Sequence, residues 1–113
     1  MQIDIQTHGL ALTEDLRTYT ERRLRYALSW AKSHIRSVEV RCVNETVPFG
    51  GIWNRCTLCL RVQRGEDLII KDLEADIHTA IERACDRASR TLARQIHLRR
   101  GVHMSGYLYP ESF

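Results

Sequence analysis

Apolar and polar residues alternate one by one in three segments of the chain. In residues 2–7, Ile3 and Ile5 lie on one side and polar residues on the other. The same period of two recurs in SVEVRCV (37–43) and in RCTLCLRVQ (55–63). Alternation of this kind is typical of strands with one buried face, so the pattern predicts three strands.

A fourth strand is predicted in LIIKD (68–72), because it follows the turn-forming sequence RGED (64–67). Between the second and third strands, NETVPFGGIWN (44–54) contains one proline and two glycines. Such residues interrupt regular structure, so we expect a loop over 44–54.

Two longer segments have apolar residues three or four positions apart, the period of an amphipathic helix. The first is predicted to start after Thr13, a good N-cap residue, and to run to about Lys32. Its predicted apolar face consists of Leu16, Tyr19, Leu24, Ala27, Trp30 and Ala31. The second is predicted from about Glu74 to Leu98, with an apolar face of Ile77, Ile81, Ala84, Ala88 and Leu92.

The predicted order is therefore β-α-β-β-β-α, an α+β fold in which two helices pack on one face of a four-stranded mixed sheet. The first β-α-β unit should place strands one and two parallel, and strands two to four should form a meander. We expect one domain over residues 1–100. Residues 101–113 lack periodicity and are predicted to form a C-terminal tail.

The amino-acid composition is that of a globular protein. The chain has 113 residues, of which 43% are hydrophobic and 27% charged, as in ordinary globular proteins. No apolar run approaches the roughly 18 residues of a membrane span, so we expect no membrane partner. The N-terminal sequence MQIDIQTHG does not resemble a secretory signal, which favours a cytoplasmic location and reduced cysteines.

The net charge of +3 is unevenly distributed. Residues 13–36 contain six Lys or Arg against three Asp or Glu, and residues 77–100 contain six against two. Both predicted helices are therefore basic, on an otherwise slightly acidic chain. This distribution is typical of a surface that binds a polyanion.

The second helix contains RACDRASRTLAR (83–94), whose four arginines fall within an arc of about 60° in a helix. Stacked like charges repel by roughly 0.2–0.5 kcal/mol per pair, and on this helix only Asp86 is close enough to offset them. A helix face that only contacts water would carry both positive and negative residues, so the stripe favours phosphate binding. A simple solvent-exposed face is the alternative interpretation. The candidate RNA-binding residues on both helices are Arg22, Arg23, Arg25, Arg83, Arg87, Arg90, Arg94, Arg99 and Arg100.

Other candidate chemistry is weak. CTLC (56–59) has the CxxC spacing of one of the two ligand pairs in a zinc site. However, cysteines three residues apart in a strand point to opposite faces. The sequence contains no nucleophile elbow, HExxH motif or glycine-rich phosphate loop. We therefore expect no enzyme, no metal or other cofactor, and no small-molecule substrate. Trp53 is expected to cover an edge of the sheet or a helix end; the alternative is that Phe49, Ile52 and Trp53 contact a base or a partner protein.

Two segments resemble the family of ribosome hibernation-promoting factors and ribosome-associated inhibitors. DIHTAIERACDRASRTLARQI (76–96) is similar to the family's second helix, with Asp76, Ala80 and Ile81 at motif positions and Glu82 as its final acid. THGLALTEDLRTYTERRL (7–24) resembles the opening strand and capped first helix. Tyr26 replaces a family lysine, and the tail matches neither the acidic extension nor the additional domain of other members, so the chain resembles a short form.

The resemblance implies binding to rRNA of the small ribosomal subunit near the decoding centre, where the protein would block the mRNA and tRNA sites and inhibit translation under stress or in stationary phase. By position, it assigns rRNA contacts to Arg23, Arg87, Arg90 and Arg94. Two alternatives stay open. The chain is otherwise a general binder of double-stranded or other RNA, or a protein-interaction module that uses loop 44–54.

Overall fold

A computed structural model describes residues 1–100, with side chains described as far as Leu98. The predicted tail (101–113) lies outside the described residues. The elements follow the predicted order β-α-β-β-β-α, with a short 3₁₀ helix after the first α-helix. They are β1 (Gln2–His8), α1 (Glu14–Leu28), the 3₁₀ helix (Ser29–His34), β2 (Ile35–Thr46), β3 (Ile52–Val62), β4 (Leu68–Glu74) and α2 (Ile77–Arg100).

The four strands form one sheet in the order β1-β2-β3-β4. β1 pairs with β2 in parallel, while β2, β3 and β4 pair antiparallel, so the predicted mixed sheet and meander are confirmed. The register aligns Ile5, Val40, Leu58 and Ile70 in one row across the sheet, and all four are buried.

Both helices pack on this buried face. Leu24 and Leu28 of α1 and Ile81 and Leu92 of α2 are fully buried and belong to the same hydrophobic cluster as the row of strand residues. No element within residues 1–100 covers the opposite face of the sheet, and exposed Glu39 and Arg41 alternate on it with the core residues of β2. One layer of sheet with two helices on one side confirms the predicted α+β architecture.

The first helix is shorter than predicted. Its N-terminus is as expected, because Thr13 Oγ1 accepts a hydrogen bond of 3.1 Å from the Leu16 backbone N–H. The α-helix ends at Leu28 rather than near Lys32, and the chain continues as a 3₁₀ helix with non-helical dihedral angles at Ala31. This change rotates Trp30 out of the predicted apolar face, and half of the side chain is exposed.

The predicted loop over 44–54 is also wrong in its extent. β2 and β3 continue as a two-stranded hairpin to the pair Thr46–Ile52, beyond the ends of both outer strands. Only residues 47–51 form the turn, where Gly50 and Gly51 adopt φ angles of 101° and 86° that favour glycine.

The second helix begins at Ile77, three residues later than predicted. Asp76 caps it: the Thr79 backbone N–H donates to Asp76 Oδ2 at 2.9 Å, and the Ala80 N–H donates to the Asp76 carbonyl at 3.0 Å. Asp76 is the first residue of the resemblance motif, so the capping contact gives a physical reason for an acid at that position.

Candidate nucleic-acid interface

The arginine stripe of α2 lies on the side away from the core, as its helical spacing predicts. Ile81, Ala84, Ala88 and Leu92 of the same helix are fully buried, whereas Arg83, Arg90 and Arg94 are exposed and Arg87 is half-buried. The four residues nevertheless differ in their surroundings, and these differences divide the stripe into two pairs.

Arg83 and Arg87 contact carboxylates of β4. Arg83 Nε lies 3.3 Å from Glu74 Oε2, and Arg87 Nη2 lies 3.7 Å from Asp72 Oδ2. Arg87 also donates a hydrogen bond to the Lys71 carbonyl. Asp86 is therefore not the residue that offsets the stripe, because the compensating charges come from the neighbouring edge strand.

Arg90 and Arg94 are exposed like Arg83 but differ from it in their lack of a carboxylate partner within residues 1–98. Among the residues with described side chains, no carboxylate forms an ion pair with either of them. An unpaired guanidinium offers its bidentate donors to a phosphate without first breaking an internal contact. The predicted Arg99 and Arg100 continue α2, but their side chains lie outside the described part of the chain.

The predicted cations of α1 also fall into two groups. Arg22 and Arg25 are exposed and, within the described part of the chain, form no ion pair. Arg23 is mostly buried, and its Nη2 lies 3.7 Å from Asp86 Oδ1 on α2. The structure thus brings Arg23 against α2 and leaves its two neighbours free for a partner.

Polar contacts between the helices fix their relative position. Tyr19 Oη donates to Glu82 Oε2 at 3.0 Å, and the Trp30 indole Nε1 donates to Ser89 Oγ at 2.9 Å. Burial, together with the bond to Glu82, raises the pKa of Tyr19 to about 12, so its hydroxyl stays protonated and continues to donate. The exposed cations of the two helices therefore belong to one rigid surface.

We call this outward surface of α1 and α2 the helical face. It carries exposed cations from both helices, at Arg22, Arg25, Arg90 and Arg94, together with the acids Glu82 and Asp86 at the junction between the helices. A surface with several free guanidinium groups can bind successive phosphates of a nucleic acid, with affinity from neutralised phosphates and released counterions.

Sequence reasoning missed two side chains on the helical face. Tyr26, noted only for replacing a lysine, is 76% exposed, and Trp30, predicted in the core, is 50% exposed. The residue type alone gave no signal at Trp30, because its exposure follows from where α1 ends. Helical spacing gave no signal at Tyr26 either, because it lies seven residues after Tyr19 and four before Trp30, at the edge of the predicted apolar face.

The cysteines take the positions that strand alternation predicts. Cys42 and Cys56 are directly paired across β2 and β3 and point into the core, whereas Cys59 is partly exposed on the other face. Burial raises the pKa of the Cys85 thiol to about 12. Within residues 1–98, no three His, Cys, Asp or Glu side chains cluster in a way that would hold a metal ion.

The exposed tip of the β2–β3 hairpin carries the apolar residues noted in the sequence. Phe49 and Ile52 are mostly exposed, and the Phe49 ring meets Trp53 edge to face with 5.1 Å between centroids. Glu45 and Arg55 form an ion pair at the base of the tip. Trp53 therefore packs within the hairpin rather than over a helix end.

Comparison with known proteins decides the family. A family model described as Sigma 54 modulation protein / S30EA ribosomal protein matches residues 3–100. The chain belongs to this family. Its members are ribosome-associated regulatory proteins rather than enzymes, so the resemblance read from α1 and α2 is confirmed.

Solved structures show the same fold. A ribosomal subunit interface protein from Coxiella burnetii superposes with a TM-score of 0.73 at 12% identity, over 85% of this chain and 98% of that one. The N-terminal domain of Protein Y from Thermus thermophilus gives a TM-score of 0.68 at 21% identity, over 84% of this chain and 99% of that one. No curated protein matches the sequence. Within the described residues, neither helix is long and apolar enough to cross a membrane.

Proposed function

We propose that this protein binds the small ribosomal subunit through the helical face, near the decoding centre, and blocks the mRNA and tRNA sites under stress or in stationary phase. It does so as a binding protein in the cytoplasm, without catalysis or a cofactor. The observation that carries the proposal is the set of exposed arginines on both helices that form no ion pair among residues 1–98, in a chain that belongs to a ribosome-associated family.

The arginines of this surface are better placed to contact phosphates of a partner than to pair with carboxylates of the protein itself. Arg22, Arg25, Arg90 and Arg94 extend from two helices whose separation is fixed, so they match a structured phosphate lattice rather than a flexible strand. The paired Arg83 and Arg87 lie next to them and add positive potential, although their guanidinium groups already have partners.

Co-sedimentation with purified ribosomal subunits tests the proposal. We expect the protein to pellet with small subunits and not with large ones, and its binding to fall when mRNA and initiator tRNA occupy the subunit first. Binding that ignores prior occupation by mRNA and tRNA would contradict the proposed location.

A competitor RNA distinguishes the general RNA-binding alternative. If the protein binds any A-form helix by shape, a plain RNA duplex at equal nucleotide concentration displaces it from small subunits. We expect the duplex to displace it poorly, because the proposed site presents phosphates of a folded rRNA surface rather than one regular helix.

The exposed hairpin tip supports the second alternative, a protein-interaction module. Phe49 and Ile52 are large, apolar and exposed on a segment that projects beyond the sheet. F49A/I52A removes this apolar surface without emptying the core. If the tip is the binding site, this variant loses its partner while R90Q/R94Q keeps it; our proposal predicts the reverse for small subunits.

A further inference from the structure

Two large aromatic side chains are exposed on the helical face, where arginines alone would serve for phosphate binding. Tyr26 is more exposed than any other large hydrophobic residue of the described chain, and Trp30 exposes half of its surface. Exposed aromatic surface next to cations is typical of binding sites, because the part of a ring that faces solvent adds nothing to burial in the core. A function that uses the rings is therefore expected here.

Trp30 contacts α2 directly, and Tyr26 contacts a residue of α1 that pairs with α2. Trp30 donates its indole N–H to Ser89, and the Arg23 guanidinium lies 5.5 Å from the centroid of the Tyr26 ring. Arg23 in turn pairs with Asp86. Because Asp86 and Ser89 are three residues apart on α2, Arg23 and Trp30 contact the same side of that helix, and Tyr26 adjoins Arg23.

The contacts also fix how the rings are presented. The bond to Ser89 limits rotation of the Trp30 indole, and the guanidinium covers one side of the Tyr26 ring. The other side of Tyr26 is open to solvent, as its exposure shows. A ring that is already ordered loses less conformational entropy when a flat ligand stacks on it.

The charge around the rings selects the ligand. Arg22 and Arg25 are sequence neighbours of Arg23 and Tyr26, and Arg90 follows Ser89; all three are exposed without an ion pair among residues 1–98. A ligand that satisfies both features has a flat aromatic part and adjoining negative charges. An RNA nucleotide whose base is unpaired has both.

We propose that Tyr26 and Trp30 form a stacking site for an unpaired RNA base, with the neighbouring arginines on its flanking phosphates. The inference rests on the proposed function for its class of partner and adds that the bound RNA surface contains a base outside a duplex. In a regular A-form helix the base faces are covered by their neighbours, so stacking distinguishes unpaired from paired RNA.

Tryptophan fluorescence tests this directly, because the chain contains two tryptophans and W53F leaves Trp30 as the sole one. The probes are an RNA hairpin with an adenosine-rich loop and a blunt duplex made from the same stem, compared at equal phosphate concentration. We expect the hairpin to quench Trp30 and the duplex to leave its emission unchanged. Equal quenching by both, or by neither, would overturn the stacking site.

Affinity measurements with Tyr26 variants provide the second readout. Y26A should weaken hairpin binding about 5- to 150-fold, the range that corresponds to one stacked base, and should leave duplex binding unchanged. Y26F keeps the ring and serves as the matched control, with affinity close to wild type. Because the side chain is largely exposed, neither variant empties the core.

The two proposals fail in different ways. If R90Q/R94Q weakens binding to small subunits while Y26A and Y26F bind the hairpin equally, the stacking site is wrong and the proposed function stands. If R90Q/R94Q binds small subunits like wild type, the proposed function is wrong. If Y26A loses a protein partner and no RNA, the rings serve protein contact instead and the inference is wrong.

Discussion

Arg23 of α1 and Asp86 of α2 form an ion pair across the two helices, with 3.7 Å between Nη2 and Oδ1. In the sequence, Asp86 is the acid nearest to the arginine stripe and Arg23 is a residue that the family resemblance assigns to rRNA. In the folded chain each is the other's partner. Arg23 therefore helps to position α1 against α2 as well as adding charge to the helical face.

Replacing Asp86 by Asn tests what this pair does. The pair is partly exposed, so its loss should lower the free energy of unfolding by no more than about 1 kcal/mol. The same change removes a negative charge from the helical face. A unit charge several ångströms from a phosphate in water contributes about 0.4–0.7 kcal/mol of repulsion, so affinity for small subunits should rise about two- to threefold.

Denaturant unfolding and co-sedimentation measure the two effects of D86N. E66Q is the matched control, because it removes one negative charge from the turn between β3 and β4, and its affinity should equal that of wild type. A D86N variant that binds more weakly than wild type would show that the Arg23–Asp86 pair is required for the shape of the surface.

Arg87 and Arg90 are neighbours in the stripe but should differ in their effect on stability. Arg87 contacts Asp72 and the Lys71 carbonyl on β4, so R87Q should lower the free energy of unfolding by roughly 0.5–1 kcal/mol. R90Q breaks no such contact and should stay within about 0.5 kcal/mol of wild type. Chemical denaturation of both single variants measures the difference, and equal values would contradict the division of the stripe into paired and free residues.

Asp76 should make the stability of α2 depend on pH. The Thr79 backbone N–H holds the pKa of Asp76 below its ordinary value of 3.8. A depressed pKa means that the charged form stabilises the fold above the unfolded pKa, and that this contribution is lost as the pH falls through the folded value. Asn also caps helices but does not titrate in this range, so D76N is the matched variant.

Melting temperatures of wild type and D76N across acid pH provide the measurement. Above about pH 4, the difference between the two should be constant; below it, the difference should shift steadily in favour of D76N. A difference that stays constant to the lowest pH would show that the Asp76 charge does not contribute to the cap.

The order of elements could be predicted from the sequence because the spacing of apolar residues in each segment matches the residues that are buried in the fold. Val38, Val40 and Cys42 alternate in β2 and are all buried, and the helical spacing from Ile81 to Leu92 is that of the buried face of α2. Patterns of this kind depend only on which residues avoid water. They therefore predict the sheet and the helices, and the excess of Lys and Arg over Asp and Glu in both helices predicts a basic outward face.

The errors arose where the outcome depends on contacts between elements rather than on the pattern within one element. In the hairpin over 44–54, β2 and β3 stay paired through Glu45–Trp53 and Thr46–Ile52, which the proline and glycines of this segment did not indicate. The ion pairs of Arg83 and Arg87 likewise need β4 beside α2. Consequently the sequence indicated a basic surface, but not which of its arginines are free to bind a partner.

The salt dependence of binding to the small subunit tests the central claim, that the free arginines of the helical face contact phosphates. R90Q/R94Q removes two positive charges from that face, and R41Q/K71Q removes two exposed charges from the sheet face opposite the helices. We predict that R90Q/R94Q weakens binding and reduces the slope of log affinity against log salt by roughly 0.7–0.9 per lost contact, while R41Q/K71Q leaves the slope unchanged. Equal slopes for both variants would contradict the account.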